Sequence, residues 1–373
     1  DSMDGPKLKE EVQESLEEKA KAIGLWLFDV PEEYGGQGLG LLARSIVWTE
    51  LARTIALPTR NVNIFGPIVS PILYYLNEEQ KRRYLFPVLE GKLRHCFAQT
   101  EPEVGGDPGG MRTTAVRDGD VYHLNGSKQW ITFANAADVG VLFAKTDPDA
   151  DHRGISAFIV EPKRYEGFTA NPVPMTGLSN SLTSNAVFLD DFVVPVENRL
   201  GAEGEGFRVA MNALEFGRLT VSARAVGLAQ ACLDEAVEYA NQRVIRGNPI
   251  AAYQMVQHLI ANMATGTDAA RLMVQRMAWL MDEGRPATRA ASRAKYFAVE
   301  AAKEAAAGAA EIFAGYALAD EYPIKKYTAY VNMLAVGEGT ANVQRVLIGE
   351  DALGIKDADR HPVRNRLRGS AVG

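Results

Sequence analysis

The spacing of apolar positions divides the chain into three regions. From about residue 6 to residue 96 apolar side chains recur at helical spacing, as in the first charged segment, where Val12, Leu16 and Ile23 share one stripe. A later segment of the same region begins with Asn77, which is a favourable residue for a helix N-cap. This pattern predicts an N-terminal helical domain over residues 1–96.

Between residues 97 and 205 apolar and polar residues alternate instead. The segment 121–124, followed by Asn125-Gly126, predicts a strand that enters a tight turn. Three further strands are indicated, at residues 139–144, 155–160 and 186–189. This region is predicted to be a β domain, either a small barrel or a sandwich.

From residue 206 to residue 353 helical spacing returns and alanine becomes frequent. Helices are predicted near residues 207–241, 253–283, 287–314 and 342–350. Because small alanine side chains let helices approach closely, this region is predicted to be a four-helix bundle. Residues 354–373 are charged and aperiodic, which indicates a loose tail. The fold class is therefore predicted to be α+β, with helical, β and helical-bundle domains in that order.

Composition narrows the class of protein. With 373 residues, 47% hydrophobic and 23% charged, the chain has the composition of a globular protein of more than one unit. The net charge of −7 argues against nucleic acid as a partner, because phosphate binding needs a concentrated basic face. Cys96 and Cys232 provide no disulfide framework, and no apolar run is long enough to span a bilayer. We therefore expect a cytoplasmic protein, or a mitochondrial-matrix protein in a eukaryote.

Common cofactor motifs are missing from the sequence. No Gly-x-Gly-x-x-Gly follows a predicted strand, and there is no Walker lysine loop. The five histidines are scattered and show no metal-ligand spacing, so no metal site is predicted. A Rossmann fold is therefore not expected.

Three segments resemble the acyl-CoA dehydrogenase family. Residues 99–108 read Gln-Thr-Glu-Pro-Glu-Val-Gly-Gly-Asp-Pro, similar to that family's flavin loop. Residues 125–132, Asn-Gly-Ser-Lys-Gln-Trp-Ile-Thr, are similar to its Asn-Gly-x-Lys-x-Trp-Ile-Thr element. Residues 337–345, Gly-Glu-Gly-Thr-Ala-Asn-Val-Gln-Arg, resemble its Glu-Gly-Thr-x-x-x-Gln-Arg segment. Their order and spacing match over nearly the whole chain, and the resemblance implies FAD as the cofactor.

Removing hydrogen from two adjacent carbons requires a base at Cα and a hydride acceptor at Cβ, and a flavin supplies the acceptor. The resemblance implies that Glu338 is the base, with its backbone N–H and a flavin hydroxyl stabilising the developing enolate. Some relatives carry the base on the helix around residues 214–218, but the matching position here is Gly217. The alternative is that a glutamate between glycines simply begins a helix.

The resemblance also implies the flavin contacts of the β domain. Gln99 and Thr100 would line the pyrimidine side of the flavin, and Trp130 and Thr132 would lie near the ring and its N5. Gly106 stands where the family usually has serine. The alternative for Trp130 is a core anchor of the β domain.

Arg243 matches the family arginine that pairs with the flavin pyrophosphate of a neighbouring subunit, and a guanidinium suits that role. The alternative is a solvated arginine at a helix end. Arg246 could stack beside adenine, and Gln254 matches a family glutamine near the same cofactor. The remaining cofactor candidates are Glu311, Gly315, Thr340 and Asn342, of which Glu311 and Asn342 replace glutamines of the family.

The resemblance implies a substrate site as well. Glu215 and Arg218 resemble the Asp-x-x-Arg pair that binds CoA, although an ordinary i,i+3 ion pair is the alternative. Ser181 and Gly339 are further candidates. Arg60, near Asn63, falls in the segment that lines the far end of the acyl cavity in relatives, where it could meet a polar group of the substrate or pair with another side chain.

Three hypotheses of function follow. The first is FAD-dependent oxidation of an acyl-CoA substrate to the trans-2-enoyl-CoA by a homotetramer or homodimer, with electrons passed to an electron-transfer flavoprotein. The second is an acyl-CoA oxidase or a tailoring dehydrogenase on the same scaffold. The third is a non-catalytic flavin-containing binding protein, which the acidic net charge disfavours as a DNA-associated protein.

Overall fold

The computed structural model describes residues 3–4, 7–54, 64–67, 69–175 and 184–354. The elements up to residue 98 are β1 (Met3–Asp4), β2 (Lys7–Leu8), α1 (Glu10–Ala22), α2 (Leu41–Ala52), α3 (Glu78–Gln80), α4 (Phe86–Leu89) and β3 (His95–Ala98). A π-helical turn, Lys81–Leu85, joins α3 to α4. Asn77 caps α3 as predicted: its side chain accepts a bond from the N–H of Gln80, and the Gln80 side chain accepts one from the N–H of Asn77.

The central region forms one mixed sheet. Its further strands are β4 (Thr114–Asp118), β5 (Val121–Thr132), β6 (Val139–Lys145), β7 (Ile155–Val160), β8 (Phe168–Val173), β9 (Ser184–Pro195) and β10 (Arg199–Leu200). In the described residues the strand order is β10-β7-β6-β4-β5-β9-β8, with β3 also paired in parallel with β6. The other strand pairs are antiparallel, apart from a single parallel contact between β4 and β6.

Strands β6 and β7 are buried on both faces, which explains their unbroken apolar sequences. Val141 and Ile159 face a core shared with the N-terminal helical region, whereas Leu142 and Phe158 face a second core beneath β5 and β9. The sheet is therefore a middle layer, and its loops emerge beside the helices.

The tight turn predicted at Asn125-Gly126 is wrong, because β5 runs through this pair. The hairpin turn lies instead between β4 and β5, where Gly119 has φ +56°. Asn125 and Gly126 mark a bulge in the pairing of β5 with β9, where Oδ1 of Asn125 accepts a bond from the N–H of Asp191. Gly126 has φ +145°, and a Cβ there would lie 2.7 Å from Oγ1 of Thr113. An Asn-Gly pair therefore serves the bulge here for the same backbone reason that it serves turns.

The C-terminal region is helical. Its elements are α5 (Gly206–Gln242), β11 (Val244–Ile245), β12 (Asn248–Pro249), α6 (Gln254–Asp282), α7 (Thr288–Phe313), α8 (Ile324–Val336) and α9 (Ala341–Leu353). Helix α8 was not predicted. Its buried face, which includes Ile324, Tyr327, Val331 and Leu334, has helical spacing but is short. Helices α5 to α8 pack around an alanine-rich core, and the predicted α+β class is confirmed.

Candidate active site

Glu338 lies on a strained turn between α8 and α9. Gly337 ends α8, and its N–H donates to the carbonyl of Met333. Glu338 then has φ +56° and Gly339 has φ +91°. A positive φ is unfavourable for a residue with a side chain, at a cost on the order of 1–3 kcal/mol, and such residues concentrate at functional sites. The alternative that Glu338 begins a helix is wrong, because α9 begins at Ala341, with Thr340 as its N-cap.

The carboxylate of Glu338 lies against helix α5 at Gly217. A Cβ built on Gly217 would stand 2.4 Å from Cδ of Glu338 and 2.5 Å from Oε2. The absence of a side chain at position 217 is therefore what makes room for the carboxylate. Glu338 itself is half-buried. Position 338 and position 217, the two places where the base was considered, therefore lie next to each other in the fold.

Two buried side chains hold the carbonyls of this turn. Nζ of Lys295, on α7, donates to the carbonyl of Ala335 at 3.0 Å and to that of Gly339 at 2.8 Å. Nε2 of Gln344, on α9, lies 3.4 Å from the carbonyl of Glu338 and 3.3 Å from that of Gly339. Lys295 was missed in the sequence. Its signal was a lysine on the apolar stripe of an alanine-rich helix.

Arg218 is buried one residue beyond Gly217. Burial lowers the pKa of its guanidinium, while the negative charges of Glu338 and Glu215 oppose that change. Its Nε has no hydrogen-bond partner among the described residues. Oε1 of Glu215 accepts a bond from the Thr288 hydroxyl at 2.9 Å, which directs this carboxylate toward α7. The structure therefore brings Arg218 close to Glu338, and its Nε makes no hydrogen bond to Glu215 in the described part of the chain.

The two segments of the β domain that resemble family motifs, residues 99–108 and 125–132, are joined to each other. The N–H of Gln129 donates to the carbonyl of Thr100 at 2.8 Å, and Nζ of Lys128 lies 3.2 Å from the carbonyl of Gln99. Lys128 also pairs with Glu101 at 2.9 Å, with both side chains buried. Burial raises the pKa of Glu101, but Lys128 and the N–H groups of residues 112 and 113 outweigh it and leave the pKa lowered.

Trp130 stands out of the sheet at a bulge. Its φ is +64°, the pairing of β5 with β9 shifts between Lys128 and Ile131, and Lys128 and Ile131 are both buried. The indole is consequently 52% exposed, so the alternative of a core anchor is wrong. Thr132 is half-buried two residues farther along the strand. An exposed indole on a strained bulge is a suitable platform for a flat ligand.

The glycine-rich loop of the β domain reaches the start of α9. A Cβ built on Gly106 would lie 3.2 Å from Cγ2 of Val343. In the same segment, Oγ1 of Thr340 accepts a bond from the N–H of Val343, and Oδ1 of Asn342 accepts one from Arg345. The glycine-rich loop of the β domain and the segment that follows the Glu338 turn are therefore in contact within a single chain.

A second group of predicted residues lies at the other end of the bundle. Arg243 ends α5, Gln254 begins α6, and Glu311 and Gly315 lie where α7 ends. Lys295 and Glu311 are sixteen positions apart on α7, which corresponds to about 24 Å at 1.5 Å per residue. The guanidinium of Arg243 lies over the ring of Tyr316 at 5.8 Å, and Arg246 is exposed in the β11–β12 turn with φ +52°. Within one chain these residues are not brought to Glu338.

Arg60, Asn63 and Ser181 lie outside the described residues. Across the part of the chain that the structure covers, no group of three or more His, Cys, Asp and Glu side chains could hold a metal ion. None of the helices in that part is both long and apolar enough to cross a membrane.

Comparison with known proteins identifies the family of this chain. Family models for acyl-CoA dehydrogenases match three segments: the N-terminal domain at residues 3–92, the middle domain at residues 96–191 and the C-terminal domain at residues 204–353. An acyl-CoA dehydrogenase of Bacillus subtilis (strain 168) is 41% identical over 333 residues, which is 89% of this chain and 87% of that protein. The chain belongs to the acyl-CoA dehydrogenase family.

Other relatives of this chain carry names that indicate different activities. The CarC subunit of the caffeyl-CoA reductase-Etf complex of Acetobacterium woodii is 40% identical, covering 90% of this chain and 88% of that protein. A glutaryl-coenzyme A dehydrogenase structure in complex with glutaryl-CoA has a TM-score of 0.83 and 33% identity, covering 96% of this chain and 98% of that one. The family consists of flavoprotein oxidoreductases that act on acyl-CoA.

Proposed function

We propose that this protein is an FAD-dependent acyl-CoA dehydrogenase that converts an acyl-CoA thioester to the trans-2-enoyl-CoA, with Glu338 as the α-proton base. The observation that carries the proposal is the Glu338 carboxylate, held on a strained turn against the bare backbone of Gly217. A half-buried carboxylate that lies against a glycine, in an acyl-CoA dehydrogenase, suits proton abstraction.

FAD fits the residues of the β domain. The exposed indole of Trp130 offers an aromatic face, and the joined segments around Thr100 and Gln129 border it. When bound, FAD supplies the acceptor for the hydride that leaves Cβ. Gln99, Thr100, Trp130 and Thr132 would hold the ring, and Gly106 leaves the loop beside Val343 free of a side chain.

Glu338 would take the proton from Cα while the Cβ–H bond breaks to release a hydride. The electron pair of the Cα–H bond then becomes the new C=C bond, so atoms and electrons balance. Negative charge grows on the thioester oxygen in this step. A donor aimed at that oxygen is worth roughly 3–4 kcal/mol, which is the role we propose for the N–H of Glu338. We propose that Arg218, through its buried guanidinium, contacts CoA and that Glu215 does so as well. Gly339 would lie close to the thioester.

A second candidate is the reverse reaction, reduction of an enoyl-CoA. It is favoured by the similarity to the caffeyl-CoA reductase subunit. The same residues would serve, with Glu338 returning the proton to Cα, because forward and reverse reactions share one transition state. The Etf in that relative's name supports our proposal that an electron-transfer flavoprotein is the redox partner.

The predicted cofactor residues at the end of the bundle far from Glu338 support a homotetramer or homodimer. Because Arg243, Gln254, Glu311 and Gly315 lie far from Glu338 in one chain, we propose that they, with Arg246, hold the adenine side of a neighbouring subunit's FAD. Cys96 and Cys232 are buried free thiols, which suits a reducing compartment such as the cytoplasm.

The test is anaerobic bleaching of the bound flavin by a panel of acyl-CoAs, followed by product analysis. Replacing Glu338 by Gln should slow flavin reduction by about 100- to 10,000-fold, the range expected for loss of a general base. Glu304→Gln, an exposed glutamate on α7, is the matched control and should reduce at the wild-type rate. A Glu338→Gln protein that bleaches as fast as wild type would overturn the assignment. Peroxide released in air would identify an oxidase, and reoxidation of reduced flavin by enoyl-CoA would identify the reductase direction.

A further inference from the structure

Lys295 occupies a position where a charged side chain is costly. It lies on α7 among Ala291, Ala294 and Ala298, and only 1% of it is exposed. Burial lowers the pKa of its ammonium to about 8. An ammonium at this depth requires acceptors that offset its lost hydration.

Those acceptors lie on the turn that carries Glu338. The carbonyls of Ala335 and Gly339, at 3.0 Å and 2.8 Å from Nζ, stand on either side of Gly337 and Glu338. Ala335 belongs to the last turn of α8, where the carbonyls carry partial negative charge and favour a nearby cation. A single ammonium therefore bridges the end of α8 and the residue after Glu338.

The bonds from Lys295 are the short ones at this turn. Those from Gln344 to the carbonyls of Glu338 and Gly339 are 3.4 Å and 3.3 Å long. Because Glu338 has a positive φ, which is costly for a residue with a side chain, the turn persists only if its surroundings hold it. Of the two side chains that bind the carbonyls of this turn, Lys295 makes the shorter hydrogen bonds.

We propose that Lys295 is a positioning residue for Glu338. Its ammonium holds the strained turn so that the carboxylate lies against Gly217, and its charge favours the ionised carboxylate. The inference rests on the proposed function of Glu338 as the base.

Several charges act on Lys295 and must be considered together. Glu338 on the turn and Glu300 on α7 favour the ammonium, whereas Arg218 on α5 and Lys303 on α7 disfavour it. The carboxylate of Glu338 therefore interacts electrostatically with two cations, Lys295 and Arg218. Removing Lys295 weakens the field at the carboxylate, and Arg218 keeps part of it.

The experiment compares Lys295→Met, Lys295→Arg and Lys303→Met in the full-length protein with FAD bound. Methionine fills the space without charge or donors, arginine keeps the charge, and Lys303 is a partly exposed lysine of the same helix. The first measurement is the rate of flavin reduction at saturating acyl-CoA over a range of pH. The second is hydrogen exchange at residues 333–341, which reports how firmly the turn is held.

We expect Lys295→Met to reduce flavin about 100-fold more slowly, because a displacement of about 1 Å can cost that much. The acid limb of its pH profile, where the rate of flavin reduction falls at low pH, should move to higher pH. The reason is that a cation that favours the ionised carboxylate of Glu338 has been removed. Lys295→Arg should keep the acid limb of wild type even if its rate falls, and Lys303→Met should match wild type in both. Hydrogen exchange at residues 333–341 should be faster in Lys295→Met than in the other variants.

Two results would overturn the positioning role. One is a Lys295→Met protein that reduces flavin at the wild-type rate. The other is a Lys295→Met protein that is slower but has the same acid limb in its pH profile as Lys295→Arg. If Lys295→Met does not retain FAD, Lys295→Gln, which keeps an N–H donor group but no charge, decides by the same two criteria, the rate and its pH dependence. Failure of the two proposals can be told apart. If Glu338→Gln is inactive while Lys295→Met is normal, only the inference on Lys295 fails; if Glu338→Gln is fully active, the base assignment itself fails.

Discussion

Lys128 in the β domain and Lys295 in the helical bundle are both fully buried, and burial lowers the pKa of each to about 8. Each holds a loop of the candidate site. Lys128 is paired with a buried carboxylate, Glu101, whereas the hydrogen bonds of Lys295 go to the carbonyls of Ala335 and Gly339. The segments around Gln99 and Lys128 are thus held by a neutralised ion pair, and the Glu338 turn is held by a charge that faces dipoles.

This difference separates two ways to support a site. An ion pair is costly to break from one side, because the remaining charge is buried without compensation. A cation that faces carbonyls leaves only dipoles behind when it is removed, so the fold suffers less. Its charge, however, remains available to act on Glu338. We therefore expect changes at Lys128 to act mainly on stability and changes at Lys295 to act mainly on chemistry.

The largest expected effect breaks the ion pair. Lys128→Met should lower the free energy of unfolding by about 3–5 kcal/mol, because Glu101 keeps a buried negative charge. Unfolding by urea, followed by tryptophan fluorescence, measures this loss. The double variant Glu101→Gln/Lys128→Met should recover a large part of it. Equal stability of the single and double variants would show that the pair matters as packing and not as charge.

The next effect concerns the pH dependence of stability at Lys295. Its pKa falls from 10.5 in the unfolded chain to about 8 in the folded protein, so between these values the unfolded chain holds a proton that the folded protein has lost. Stability should therefore rise with pH across this interval, by at most about 3 kcal/mol from this group. In Lys295→Met the rise should be smaller than in wild type, as measured by unfolding midpoints at a series of pH values. Parallel curves would contradict the lowered pKa.

Gly217→Ala should separate stability from chemistry in the bundle. The new Cβ would stand 2.4 Å from Cδ of Glu338, and a flexible side chain can move away at little cost to the fold. Flavin reduction should fall about 100-fold, while stability stays the same or rises by up to about 1 kcal/mol. Gly266→Ala on α6 is the control, since its Cβ would meet Ala301 at an ordinary 3.7 Å. A Gly217→Ala protein with wild-type kinetics would mean that Glu338 works from elsewhere.

The smallest effect tests whether a local cap contributes to the turn. Thr340→Ala removes the N-cap bond to the N–H of Val343 and should cost about 1 kcal/mol of stability. Thermal unfolding measures it, with Thr340→Ser as the control that keeps the hydroxyl. A loss as large as that of Lys128→Met would mean that α9 depends on its cap more than on its packing.

The sequence by itself determined the α+β class, because the change from helical to alternating periodicity is a local property. It also singled out Glu338 and Gly217, since both lie in motifs that can be compared position by position. Asn77 was recognised as a cap for the same reason: a capping box involves residues three apart.

The tertiary structure decided what those local patterns could not. Lys295 lies 43 residues before Glu338, and its role exists only because α7 packs beneath the turn. The exposure of Trp130 and the bulge at Asn125-Gly126 depend on how β9 pairs with β5. In each case the deciding contact joins segments far apart in the chain, and no periodicity along one segment specifies which buried group its partner will present.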